Sequence, residues 1–144
     1  MLFRSTRGTI SIEREDGSIQ TVYSHWDNYL ACNGKLLAEN YNTREAVEKL
    51  VAGGGISSLG AYVSDEPMSF NRVDHHGPDD DYTVFYSYRG EPIGISTWGS
   101  FDDYEMNQPF EEYNYLFTKD NVWSVEFDGE WYDLEYELEK EEAA

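Results

Sequence analysis

The chain has 144 residues, a formal net charge of −19 and an aromatic fraction of 16%. With only 10 lysines and arginines, it lacks the cations needed to track nucleic-acid phosphates or to bind an anionic membrane, and its aromatic content excludes an acidic disordered chain. Cys32 is the only cysteine, which excludes a disulfide framework and a cysteine-based zinc site and fits a reducing cytoplasm.

The length predicts a single domain spanning 1–144. Residues 1–60 carry 7 acids and 6 bases, a net of −1, whereas residues 61–144 carry 22 acids and 4 bases, a net of −18. Such a half repels itself at a cost to stability, and solubility alone needs far less charge. An ordinary acidic surface is the alternative reading. No N-terminal apolar run reaches the length of a signal peptide, and no segment reaches that of a bilayer span. The expectation is a chain with no membrane partner.

In chain order, residues 8–14 and 18–24 read as a β-hairpin. Ile10 and Ile12 share one face, Asp16-Gly17 is the turn, and Ile19, Thr21 and Tyr23 continue the alternation. Residues 34–41 predict a short helix on the spacing of Leu36, Leu37 and Tyr41. Asn42-Thr43-Arg44-Glu45 predicts a capping box with Asn42 as N-cap, opening a helix that buries Ala46, Val47, Leu50 and Val51. Gly53-Gly54-Gly55 ends it. These glycines follow a helix and have no nearby lysine, the reverse of a phosphate loop.

Residues 56–81 read as loop, with a short strand possible at 61–64. Residues 82–88 predict a strand and 93–98 its partner across an Arg89-Gly90-Glu91-Pro92 turn. A loop bearing Asp102, Asp103 and Glu105 follows. Strands at 113–117, 122–127 and 130–132, turned by Lys119-Asp120-Asn121 and Asp128-Gly129, make a β-meander. The tail from 133 to 142 fits both periods; Leu134 and Leu138 at i,i+4 favour helix. The fold expected is α+β: a mainly antiparallel sheet, from the N-terminal hairpin and C-terminal meander, with two or three helices packed on it.

Two stretches near the N-terminus carry a resemblance. Thr6-Arg7-Gly8-Thr9-Ile10 and the motif Tyr23-x-His25-Trp26-Asp27-x-Tyr29, followed by Leu36-Leu37 and Tyr41, resemble a family of small uncharacterised bacteriophage proteins. Their shared pattern is a Thr-Arg-Ser/Gly-x-Ile strand and a Tyr-x-His-Trp-Asp-Gly-Tyr motif. The likeness covers about the first 60 residues, with a looser echo at 113–138. Asn28 stands where that family usually has glycine, and Leu30 where it often has proline. The resemblance carries no activity; it implies a phage protein working in the cytoplasm of an infected bacterial host.

Three constellations could carry chemistry. His25 and Asp27 could serve as a general base and its orienting carboxylate, in a small hydrolase with or without metal. No nucleophile motif accompanies them, so the favoured reading is structural: Trp26 in the core, His25 and Asp27 bonded to backbone, Arg7 paired with Asp27. His75, His76, Asp79 and Asp81 crowd hard and borderline metal ligands into a loop, but match neither a calcium loop nor a zinc helix, and no cofactor is expected.

The third is the acidic half. Glu126 on an alternating strand, then Asp128 and Glu130, predict an outward row with like-facing carboxylates roughly 6–7 Å apart. Glu135, Glu139 and Glu142 extend it along a terminal helix. With Asp102, Asp103, Glu111 and Glu112 they form the candidate partner surface. DNA carries a phosphate per ~1.7 Å of axis, and a rigid carboxylate array can occupy the basic channel of a DNA-binding protein. The expected partner is a basic, nucleic-acid-binding host protein, such as a restriction, CRISPR or recombination nuclease, and not nucleic acid itself.

Overall fold

The computed structural model describes residues 6–70 and 81–143. Strands β1 (Gly8–Glu13) and β2 (Ile19–Ser24) pair antiparallel, with Ile10 opposite Val22. Gly17 takes the left-handed conformation at φ 88° that closes the loop. The Asp16 carboxylate accepts from the Ser18 hydroxyl and amide, and these bonds hold its pKa below the usual carboxylate range.

After the hairpin, a wide π-type turn at Leu30–Gly34 runs into α1 (Lys35–Asn40). The second helix, α2 (Arg44–Ala52), is capped by Thr43 and not by Asn42. Thr43 has the extended backbone of an N-cap, and its hydroxyl accepts from the Ala46 amide. Glu45 therefore falls at the second helical position, and the expected capping box does not form. Gly53 ends α2. A Cβ there would stand 2.3 Å from the Phe85 ring, so this glycine is fixed by packing as well as by the helix end.

Strand β3 (Ile56–Ser58) lies parallel to β2, and β4 (Val84–Phe85) pairs antiparallel with β3. The strand expected at 82–88 is thus cut short, because Tyr86–Arg89 winds into a 3-10 turn ended by Gly90 at φ 92°. Its aromatics serve packing: Phe85 is buried, and Tyr88 meets it edge-on. A high β-propensity reports a half-buried surface as much as a strand. The expected 61–64 strand is a single bridge, Tyr62 to Tyr82.

Strand β5 (Ser96–Trp98) does not pair with β4. It takes the free edge of β2, opposite residues 19–21, and the Trp98 indole N–H donates to the Thr21 hydroxyl. Residues Phe101–Asn107, expected as loop, form α3. Then come β6 (Tyr113–Phe117), β7 (Trp123–Phe127), β8 (Glu130–Asp133) and α4 (Leu134–Ala143). The meander and terminal helix are as expected, except that β6 joins β1 in parallel. Among the described residues the strands form one sheet of order β4-β3-β2-β1-β6-β7-β8, with β5 beside β2. The protein is α+β with a mainly antiparallel sheet.

Strand alternation sends two sets of side chains to opposite faces. Ile10, Ile12, Val22, Tyr115, Phe117, Trp123 and Val125 join Leu37, Val47, Leu50 and Leu134 in the main core. Burying each aliphatic side chain contributes about 1.5–3 kcal/mol relative to exposure. On the other face Ile19 and Leu116 pack with Tyr104 of α3, flanked by Trp98, Phe101, Phe110 and Trp131. The second core was not foreseen: the hairpin's polar face is covered, and Ser11 and Thr21 are buried there, their hydroxyls 2.7 Å apart.

Among the described residues, no helix is long and apolar enough to cross a membrane, and no group of three or more His, Cys, Asp or Glu could hold a metal ion. His75, His76 and Asp79 lie outside the described residues. Asp81 is exposed, and its carbonyl accepts from the Tyr62 amide.

Candidate functional site

The corner after β2 is built by short-range backbone geometry. The amides of His25 and Trp26 continue the ladder by donating to the Ile56 and Ser57 carbonyls. Asp27 then turns the chain at φ 60°, a conformation that aspartate tolerates better than most residues. The fully buried Asn28 sits next. Its amide nitrogen donates to the Thr6 and Ser24 carbonyls, both at 2.9 Å, and its oxygen accepts from Asn33 Nδ2 at 2.9 Å. Its backbone carbonyl accepts from the Tyr115 hydroxyl at 2.6 Å. A Cβ on Gly8 would stand 2.7 Å from Asn28 Cγ, so that glycine makes room for the hub.

His25 and Asp27 flank Trp26 at this corner. His25 Nδ1 meets the Tyr23 hydroxyl at 2.7 Å. Burial, and then the Arg7 cation, push the imidazole pKa below its ordinary value. Asp27 is buried at the turn. Trp26 is only half-buried and stands edge-on to His25 at 4.5 Å, rather than filling the core. The Asn28 and Asn33 amides satisfy the carbonyls of this chain reversal.

The acidic end is built around the β7–β8 hairpin. Asp128 and Gly129 both have positive φ, 56° and 82°, as a two-residue type I′ turn requires. Glu126 is not a free outward carboxylate. One oxygen accepts from Asn114 Nδ2 at 2.7 Å and the other from the Gly129 amide at 3.0 Å. Glu126 lies opposite Trp131, while Glu130 lies opposite Phe127, so the two acids point to opposite faces. The single row expected through 126, 128 and 130 is divided between the faces.

The helices on either side of this hairpin carry the rest. Ser100 caps α3, accepting from the Asp103 amide, while Asp103 accepts from the Gly99 amide and from Asn107. The spacing Ser-x-x-Asp is the signal that could have identified this helix. Glu105 accepts the Trp131 indole N–H at 3.0 Å, tying α3 to β8. Asp102 and Glu112 are exposed, and Glu111 is half-buried. On α4 the expected stripe forms: Glu135, Glu139 and Glu142 are all exposed. Asp133 accepts from the Tyr136 amide, as a helix cap does. Glu137 faces inward, 6% exposed, and pairs with Lys140 at 3.3 Å. Met106 and Tyr136 stand exposed among these acids, at 83% and 61%.

The chain matches no protein-family model, no curated protein and no solved structure.

Proposed function

We propose that the protein is a phage-encoded inhibitor that docks its acidic end onto the basic, nucleic-acid-binding surface of a host defence protein inside the infected bacterium. The observation that carries this reading is the charge of residues 101–143, which hold 15 acids and 2 bases. They occupy α3, β6–β8 and α4, elements joined by the Glu105–Trp131 bond and by common cores. The array is thus preformed and loses little ordering entropy on binding. Met106 and Tyr136 supply apolar and aromatic contacts amid the charge. Glu135, Glu139 and Glu142 lie on a regular helix at successive turns, and their removal leaves the internal bonds of the hairpin intact.

The test is affinity capture from host lysate at low and at high salt, with mass spectrometry of the eluted proteins. A basic nucleic-acid-binding protein should elute as salt rises. The triple change E135K/E139K/E142K should abolish its capture, and free duplex DNA should compete. Capture of that partner unaffected by charge reversal and by DNA would sink the reading.

A further inference from the structure

A cleft of about 390 Å³ beside Arg14 and the Arg44 end of α2 has its cations already engaged. Arg14 donates to Gln20, and Arg44 donates to the Glu13 and Thr118 carbonyls. A second cleft, of about 270 Å³, is different. It lies between the β1–β2 surface and the segments that carry Ser96 and Gln108 to Glu111. Its floor is Thr9, Thr21 and Gln108, each less than a tenth exposed; Tyr23, Ser96 and Glu111 form its rim.

The hydrogen-bond inventory of this cleft is lopsided. The Thr9 hydroxyl gives its proton to Asn114 Oδ1 at 2.7 Å. The Thr21 hydroxyl receives the Trp98 indole N–H and is also hydrogen-bonded to Ser11 at 2.7 Å. The Gln108 nitrogen is turned to the Pro109 carbonyl at 3.4 Å, which leaves its oxygen without a hydrogen bond to any described residue. The Tyr23 hydroxyl is shared with His25. Most of what remains to face a ligand is oxygen lone pairs, and Glu111 adds a carboxylate. That carboxylate has no hydrogen bond or ion pair to any described residue, because Asn114 binds only the Glu111 backbone, at N and O. An acceptor-lined cleft with one unneutralised anion is complementary to a cation rich in N–H donors, and a planar guanidinium matches a carboxylate in two bonds at once.

We propose that this cleft binds a guanidinium or ammonium group, held by Glu111 and by the oxygens of Thr9, Thr21, Tyr23 and Gln108. A cleft of this size admits one such group with a short alkyl stem and not a drug-sized molecule. Arg7 does not line the cleft, but its charge acts on the rim residue Tyr23 and so opposes an incoming cation. The inference shares Glu111 with the acidic end but uses none of the α4 carboxylates. The cleft is built from hydroxyls of β1, β2 and β5 and from the Gln108–Glu111 segment, and α4 contributes nothing to it.

Amide NMR of the whole chain titrated with agmatine, a guanidinium on a short alkyl stem, tests this. Saturable shifts are expected at Thr9, Thr21, Ser96 and Gln108. Glu111→Gln should weaken them about tenfold, and Arg7→Ala should strengthen them. The triple change on α4 should leave them unchanged. A short peptide with one central arginine distinguishes the source: binding tighter than agmatine assigns the cleft to a protein side chain, and weaker binding assigns it to a free amine. Tetramethylammonium, a cation without N–H donors, should not reproduce the shifts. If it does, if the shifts spread over α3 and α4 without saturating, or if Glu111→Gln leaves them intact, the proposal is wrong.

Discussion

At the Asn28 corner, one fully buried amide side chain serves Thr6, Ser24 and Asn33; at the acidic end, Glu135, Glu139 and Glu142 stand in solvent. Both regions are crowded with polar groups. In the first, the carbonyls around Asn28 are answered inside the chain, and removing the hub leaves buried groups unanswered. In the second, the exposed carboxylates are left for whatever comes from outside. The difference separates residues that hold the fold from residues that can be altered without harm to it. The acidic end is itself mixed: Glu126, Glu105, Asp103 and Asp133 are engaged with the protein's own donors.

The sharpest break in this comparison is Asn28→Ala. It removes four side-chain bonds, those to the Thr6, Ser24 and Trp26 carbonyls and that from Asn33, so unfolding in urea should show a loss of about 3–4 kcal/mol. Gly8→Ala should cost a comparable amount, because its Cβ would stand 2.6 Å from the Tyr113 carbonyl. If either variant melts like the parent, the corner is not the hub described.

Next comes a contrast within the acidic end. Glu126→Ala should cost about 1–2 kcal/mol, since it frees the Asn114 amide and the Gly129 N–H at the β7–β8 turn. Glu139→Ala should change stability by less than about 0.5 kcal/mol. The same melts check both, and equal effects would erase the distinction between built-in and available carboxylates.

These contrasts also mark what could be read before the fold was known. The hairpin turns were legible because Asp16-Gly17 and Asp128-Gly129 specify backbone conformation locally. The α4 stripe was legible because helical spacing depends on a single element. The Glu126 row was not, since it needed the register of β7 against β8. The pairing of β5 with β2 joins strands more than 70 residues apart, and no local signal encodes it. Within the Tyr23–Tyr29 motif, no local signal marked Asn28 as the hub. Its importance lies in contacts with Thr6, Asn33 and Tyr115, which only the folded chain brings together.

Alkaline titration extends the comparison to the tyrosines. Burial raises the Tyr41 phenol to about 12, and burial likewise raises Tyr104 and Tyr115. A raised folded-state pKa means that the unfolded chain releases its proton first. The stabilisation is therefore complete below pH 10, the ordinary tyrosine value, and is lost as pH rises toward 12. For Tyr41 the loss is on the order of 2 kcal/mol. Tyr41→Phe should flatten that slope in part, and the ultraviolet phenolate band should appear together with unfolding for the buried tyrosines. A band that appears fully at pH 10 in folded protein would contradict the burial.

The smallest effect expected is at His25. Its imidazole pKa is lowered first by burial and second by the Arg7 cation. Arg7→Ala removes only the second cause, so the pKa should rise toward the ordinary histidine value without reaching it. Protonation opposes both the partly buried ring and any bond in which Nδ1 accepts from Tyr23. Stability should therefore fall slightly as pH drops below the unfolded histidine value of 6.5, and fall less in the Arg7→Ala variant. NMR titration of the ring protons measures the shift directly. A pKa that stays fixed on removal of Arg7 would place that cation away from the Tyr23–His25 pair, and the tightening expected at the Glu111 cleft would then lose its cause.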